Sequence, residues 1–233
     1  MKHEKTYTIE RFSSLPSTND YAKAKRAEGK NLIVIARSQT GGRGTKGRSF
    51  SSKEGGVYLT KLTFYEQFPA TRAFEIMSQT AAAVCKTLQA FGVSPKIKWP
   101  NDIYVSDKKI CGILIENTFS GAFVGSSVVG IGINVYNALE AELENIATSL
   151  LIETGKKISV DDVTEELIKQ LLSTHTMDEY LSFVGYMGTT ADILQGESRM
   201  QGKLLRVDCD GALWVELQGE EKKFTSAEIS VRI

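Results

Sequence analysis

Three clusters in this chain have residue types and spacings suited to chemistry on an anionic molecule. The first is Lys98-Trp99-Pro100-Asn101-Asp102, followed seven residues on by Lys109. Pro100 fixes its own φ and pushes Trp99 toward an extended conformation, so the segment reads as a rigid turn feeding a strand at 103–105. Ser106-Asp107-Lys108 is a turn-forming cluster and the apolar run 110–115 a buried returning strand, which makes 102–116 a hairpin carrying Asn101, Asp102 and Lys109 together. An amide, a carboxylate and a cation on adjacent strands suit an anionic ligand, because a charge removed from water needs a partner. The plain alternative is a solvated hairpin with an ordinary surface lysine.

The second cluster is Gln39-Thr40-Gly41-Gly42-Arg43-Gly44-Thr45-Lys46-Gly47-Arg48-Ser49-Phe50. Its glycines let the backbone approach a ligand and turn amide protons inward, while Arg43, Lys46 and Arg48 supply cations for phosphate or carboxylate. It is neither the phosphate loop nor the dinucleotide fingerprint, since no lysine-hydroxyl pair and no helix follow at the required spacing. The third cluster is Ser17-Thr18-Asn19 at the start of a predicted helix, where hydroxyls and amide protons either grip a polar group or simply cap the helix. Asn134, at the end of the glycine-thinned strand 128–135, can read a base edge or cap a turn.

The elements that must position these clusters follow from periodicity. Residues 7–12 alternate like a strand, a helix runs from Thr18 or Asn19 to a stop at Gly29, and 32–36 is an apolar run expected of a strand covered on both faces. Residues 57–64 alternate, and 70–91 read as a long helix whose Phe74, Met77, Ala81, Val84, Cys85, Leu88 and Phe91 face the core. Residues 145–154 read as irregular and 160–180 as one helix with Asp161 and Asp162 at its N-terminus. From about residue 190 the texture changes to short alternating runs at 203–207, 212–217, 222–225 and 229–233, a small all-β appendage.

With 233 residues the chain can bury a substantial core without metal or disulfide. The 28 basic and 28 acidic residues balance to a formal charge of zero and are interspersed, which argues against nucleic acid and membrane surfaces as partners. Cys85, Cys111 and Cys209 are odd in number, far apart and in apolar surroundings, so they read as buried thiols in a reducing compartment, and the cytoplasm is expected. No apolar run approaches the ~18 residues of a membrane span. Two histidines, His3 and His175, give no support to zinc or histidine acid-base chemistry, and no residue is assigned to metal.

Taken together these residues resemble the biotin-protein ligase family, also called biotin-[acetyl-CoA-carboxylase] ligases, over nearly the whole chain. Ser17-Thr18-Asn19 is similar to the family's STN segment, Gly42-Arg43-Gly44 with Gly47-Arg48 to its GRGRxGR loop, and KWPND stands letter for letter at 98–102. Lys109 with Gly112-Ile113-Leu114 and Glu116 resembles K-x-x-GIL-x-E. The segments 130–135, 147–150 and 228–232 resemble three further signatures in the same order. The resemblance implies an α+β fold, a mixed β-sheet backed by helices with a small C-terminal β-barrel, divided into a catalytic ligase domain at 1–189 and the barrel at 190–233. It implies ATP with Mg2+ as cofactors, biotin as substrate, biotinyl-5′-AMP as intermediate, and a lysine of a biotin carboxyl carrier protein or acceptor domain as the receiving group. Monomer and homodimer are both compatible.

On the same resemblance Lys109, Arg43 and Asp102 are the catalytic residues. Ser17, Thr18, Asn19, Gln39, Gly42, Arg43 and Gly112 hold biotin. Arg48, Phe50, Asn101, Lys109 and Asn134 hold ATP, with Phe50 stacking on adenine and Asn134 hydrogen-bonding it. Asp102 is open between a magnesium contact, an acceptor-lysine contact and a structural turn carboxylate. The chain departs from the pattern at Thr45, where the family usually has its second arginine, at Phe50, where tryptophan is usual, and over 184–194. Only 16 residues precede the STN segment, so a form without an N-terminal DNA-binding domain, and no repressor function through one, is expected. The alternatives are a lipoate or octanoate ligase of the same fold, and a weakly catalytic biotin or adenylate-binding protein.

Overall fold

The computed structural model describes residues 5–232, apart from the Lys46 side chain, so the expected loop cation Lys46, the histidine at position 3 and the end of the last strand at 233 lie outside the described residues. A seven-stranded mixed sheet forms the body of the protein. Its strands are β1 (Thr8–Phe12), β2 (Leu32–Ala36), β3 (Gly56–Pro69), β4 (Lys96–Lys98), β5 (Asp102–Val105), β6 (Lys108–Ser120) and β7 (Phe123–Asn134). They lie in the order β1-β2-β3-β7-β6-β5-β4, with β1 parallel to β2 and the other neighbours antiparallel.

The period-2 alternation of these strands sorts their side chains onto two different surfaces. On one face Ile33, Ile35, Val57, Leu59, Ile113, Ile131 and Ile133 join the main core. That face is covered by α2 (Phe74–Ala90), α4 (Val160–Leu172) and α5 (Met177–Phe183). On the other, Leu32, Val34, Leu62 and Val128 pack with Ala22 of α1 (Thr18–Ala24) in a smaller core. Because α1 is only seven residues long, it covers part of this second face, and the strand positions beyond it are open for a ligand. Gly29 ends the helical stretch in the left-handed conformation at φ 66°, as its lack of a Cβ allows.

Several elements differ from the sequence expectation. The helix expected over 160–180 is two helices, because Thr176 opens α5 with a reciprocal cap in which its hydroxyl accepts from Glu179 N and the Glu179 carboxylate accepts from Thr176 N. A cap that satisfies two orphan amides at once makes restarting a helix inexpensive. The stretch expected to be irregular contains a one-turn helix, α3 (Leu150–Thr154), capped by the Ser149 hydroxyl. The turn expected before Asn101 begins as β4, paired through Lys98 to Asp102, and the Trp99–Pro100 peptide is cis. Strands β3 and β6 run several residues past their expected ends.

The small C-terminal β-unit is a five-stranded antiparallel sheet in the order β11-β10-β9-β8-β12. Its strands are β8 (Thr190–Gln195), β9 (Ser198–Val207), β10 (Leu213–Leu217), β11 (Glu220–Phe224) and β12 (Ser230–Arg232), of which β8 had no counterpart in the sequence reading. Ile193, Leu204, Leu213 and Val215 from this sheet belong to the same continuous core as the helices of the larger one. Cys85 and Cys111 are buried as expected, but Cys209 is exposed, because it stands in the turn between Asp208 and Asp210 and not in a strand. No helix among the described residues is long and apolar enough to cross a membrane.

Candidate functional site

The open part of the second face is a cleft lined by residues of α1, the 39–50 loop and strands β5, β6 and β7. Its floor is a row of glycines set by strand register, since Gly112 of β6 stands opposite Gly132 of β7 and next to Asp102 of β5. Lys98 continues the row on β4. No side chain rises from the floor at Gly112 or Gly132, and the Phe50 ring takes that space: a Cβ at Gly112 would lie 3.2 Å from the ring, and one at Gly132 would run into it. Gly130 is likewise required, because a Cβ there would collide with the Asn19 amide.

One end of the cleft is built from uncharged polar groups. Gln39 Oε1 accepts from both the backbone N–H (2.8 Å) and the hydroxyl (3.0 Å) of Thr18. Gln39 Nε2 donates to Ser52 Oγ at 2.9 Å, which fixes the orientation of the amide. Beneath them the Thr60 hydroxyl of β3 lies 2.8 Å from Thr18 Oγ1 and 2.6 Å from Asn19 Oδ1, and Asn19 Nδ2 donates to Glu116 at 3.1 Å. Ser17 caps α1 by accepting from Asp20 N. Such a set presents fixed donors and acceptors to a neutral ring.

The other end is charged. Lys109 Nζ lies 2.6 Å from Asp102 Oδ1, with the two side chains 30% and 18% exposed, so the pair is half-sheltered yet reachable from the cleft. Asn101 is tied down by donating to Ile113 O at 2.7 Å. Lys98 nearby has its pKa held below the usual lysine value by burial, reinforced by the positive charges of Lys109, Arg48 and Arg232 against the opposing pull of Asp102. Burial, with the Asp102 charge, pushes the Tyr104 hydroxyl up to about 12. Arg43 lines the cleft from the loop, where it forms an ion pair with Asp20 of α1 at the side of the polar end.

The structure therefore brings Ser17, Thr18, Asn19, Gln39, Arg43, Phe50, Asn101, Asp102, Lys109 and Gly112 around one cavity. It does not bring three others to its wall. Gly42 sits inside the loop, where a Cβ would strike the Phe50 carbonyl and the Ser52 hydroxyl, so its smallness serves loop packing. Arg48 stays at the rim, donating from Nη2 to Thr45 Oγ1 at 3.0 Å and from Nε to Thr45 O at 3.3 Å. Asn134 is buried with its amide engaged, donating to Thr148 O at 3.0 Å and accepting from Asn137 at 3.1 Å. Sequence reasoning missed Thr60, Ser52 and Glu116 as supports of the polar end; a lone hydroxyl in a buried strand centre was the signal available for Thr60.

Residues 12–134, more than half of the chain, match the model of the biotin/lipoate A/B protein ligase family. The chain belongs to this family. Among its curated relatives, this ligase-family chain is 31% identical to the bifunctional ligase/repressor BirA of Bacillus subtilis, covering 94% of its own length and 71% of that protein. It is 29% identical to the protein of the same name from Escherichia coli, with 94% and 72% covered. Among solved structures, the biotin protein ligase of Aquifex aeolicus in complex with biotin and ATP superposes with a TM-score of 0.79 at 27% identity, covering 97% of this chain and 98% of the other.

Proposed function

We propose that this family member is an ATP-dependent biotin-protein ligase. Biotin carboxylate attacks the α-phosphate of ATP to give biotinyl-5′-AMP and pyrophosphate, and an acceptor lysine then attacks the mixed anhydride, releasing AMP. The observation that carries this reading is the polarity of the cleft, with a neutral hydrogen-bonding set at one end and the Lys109–Asp102 pair at the other of a glycine floor. Thr18, Asn19 and Gln39, with Ser17 at the helix cap, suit the ureido ring of biotin, whose donors and acceptor need fixed partners. The valeryl chain then runs along the floor past Gly112, displacing the Phe50 ring that packs there, and carries the carboxylate toward Lys109.

The first step joins two anions, so its cost is electrostatic. Lys109, held in place by Asp102, offsets charge at the carboxylate and α-phosphate, and Arg43 adds a second cation from the loop. Asn101 and the rim residue Arg48 are assigned to the nucleotide with Phe50 and Lys109. Asn134 is assigned to support of the nucleotide end through the 134–137 and 148 segments it bonds. Among the described residues no group of three or more potential ligands could hold a metal by itself, and Asp102 is the carboxylate lining the cleft. That donor set fits a Mg2+ carried on the triphosphate, in the usual mode of one carboxylate plus phosphate oxygens. When bound, the ion neutralises phosphate charge.

We assign residues 1–189 to the catalytic domain and 190–233 to a small C-terminal domain, which agrees with the start of the second sheet at Thr190. The partner is a biotin carboxyl carrier protein or acceptor domain, the oligomeric state monomer or homodimer, and the location the cytoplasm, in keeping with three free thiols. Incubation with MgATP and either biotin or lipoate, followed by mass spectrometry and a pyrophosphate assay, tests the reading. Retained biotinyl-AMP and pyrophosphate release with biotin are expected. Turnover with lipoate and none with biotin would overturn it in favour of a lipoate ligase.

A further inference from the structure

Neither Asp102 nor Asn101 is held by local structure alone, since both follow a turn whose ends are gripped from distant parts of the chain. The Trp99 indole, 4% exposed, donates from Nε1 to the carbonyl of Gly211 at 2.9 Å, in the turn between β9 and β10 of the second sheet. One residue on, the carbonyl of Pro100 accepts from the hydroxyl of Tyr180 on α5 at 3.2 Å. These two grips are themselves joined. Tyr180 meets Phe74 of α2 edge to face, with ring centroids 5.6 Å apart. Gly211, at φ +84°, lies so close against the same Phe74 ring that no Cβ fits there. The next residue, Asn101, is tied to β6 on both sides of Ile113, and Asp102 stands in register with Gly112 and bonded to Lys109.

We infer that Tyr180 and the Gly211 turn are positioning residues for the Lys109–Asp102 pair, acting through the Trp99-Pro100 turn. Neither lines the cleft, so neither touches ligand. The inference rests on the reading of that pair as the centre of the adenylation step. Its physical basis is leverage: the Pro100 carbonyl belongs to the planar peptide unit that carries Asn101 N, so freeing that carbonyl lets the entry into β5 rotate. A displacement of about 1 Å at a reacting group costs up to roughly a hundredfold in rate. The biotin end is insulated from this turn, because Thr18, Asn19 and Gln39 are braced by Thr60, Glu116 and Ser52. The two ends of the cleft are thus held by different parts of the molecule.

The test is Tyr180→Phe, which keeps the ring and its contact with Phe74 and removes one hydroxyl. We expect kcat for biotin-dependent pyrophosphate release to fall about tenfold while KM for biotin stays within about twofold. In an Asp102→Asn background the same change should add less than about twofold, because the two substitutions act through one group. Trp99→Phe, which deletes the indole donor facing Gly211, should repeat the pattern. Unchanged kcat, or a loss that is fully additive with Asp102→Asn, overturns the proposal. A crystal structure of Tyr180→Phe supplies a readout independent of activity: the Asp102–Lys109 separation is expected to open beyond roughly 3.5 Å, and persistence at 2.6 Å overturns the proposal. Absence of pyrophosphate release by the wild type would instead sink the assigned reaction, with the structural readout still deciding the role of Tyr180.

Discussion

Lys109 stands near the start of β6 with its side chain partly exposed to the cleft and paired with Asp102, so its replacement tests chemistry apart from folding. Lys109→Ala is expected to lower pyrophosphate release by at least about a hundredfold, the loss typical of one preorganised donor, while the melting temperature stays near that of the wild type. Near-normal release by the folded variant would contradict the assignment. At Thr45 the structure bears on a charge that the family pattern leads one to miss. The guanidinium of Arg48 is hydrogen-bonded to the Thr45 hydroxyl, so a cation already stands at that side chain. Thr45→Arg should therefore change the dissociation rate of biotinyl-AMP by less than about threefold, whereas Arg48→Ala should raise it roughly ten- to a hundredfold, the value of one charge-assisted contact. A tenfold slowing by Thr45→Arg would show the site to be short of a cation. Residues of the cleft wall were legible in the sequence because short contiguous motifs carry them. Thr60 was not, and Glu116 was legible only as a motif residue, because their bracing role exists only once β3, β6 and α1 meet, with 41 residues separating Thr60 from Asn19 and 97 separating Glu116 from it.

Among the elements, α4 shows how a local pattern can be right in period and wrong in extent. Apolar spacing through Val163, Leu167 and Leu171 places one face of the helix in the core, but nothing in that spacing marks its end. The mark was Thr176 with Glu179, a capping pair lying inside the expected helix. The end of α4 matters for a second reason. Lys61, in the middle of β3, reaches beneath it and donates to the Leu171 carbonyl at 2.6 Å, and burial lowers its pKa to about 8 from 10.5. The unfolded chain thus binds more protons than the folded one between those two values, and stability rises as pH is raised through that window. Against Lys61→Met, the wild type should gain up to about 3 kcal/mol between pH 8 and 10.5, read from urea midpoints at both. Tyrosine ionisation is common to both chains and cancels, so parallel profiles would refute the effect. The short elements β4 and α3 escaped the sequence reading for a different reason: three to five residues are too few to display any period.

In the whole molecule the two sheets share one hydrophobic core, although the change of texture near residue 190 reads as a boundary. The sequence reading marked a change of texture near residue 190 but not the strand β8 that begins there, nor the hydrogen bond from Trp99 to Gly211 that ties the second sheet to the first, since that contact spans 112 residues. Unfolding is expected to be a single transition. Trp99 lies in the larger part, while Trp214 lies in the smaller one beneath the Arg206 guanidinium, so fluorescence of Trp214→Phe and of Trp99→Phe can report each part separately. Coincidence of both with far-UV circular dichroism is the expected result, and two separated midpoints would contradict it. The pairing of β3 with β7 has its own consequence during synthesis. β3 is complete at Pro69, yet its partner begins only at Phe123. At ribosomal speeds of about 5–20 residues per second, the edge of β3 waits roughly 3–11 s for that partner. Throughout that interval the nascent chain offers an apolar strand with one edge, the one facing away from β2, unpaired, and with it a natural handhold for a chaperone.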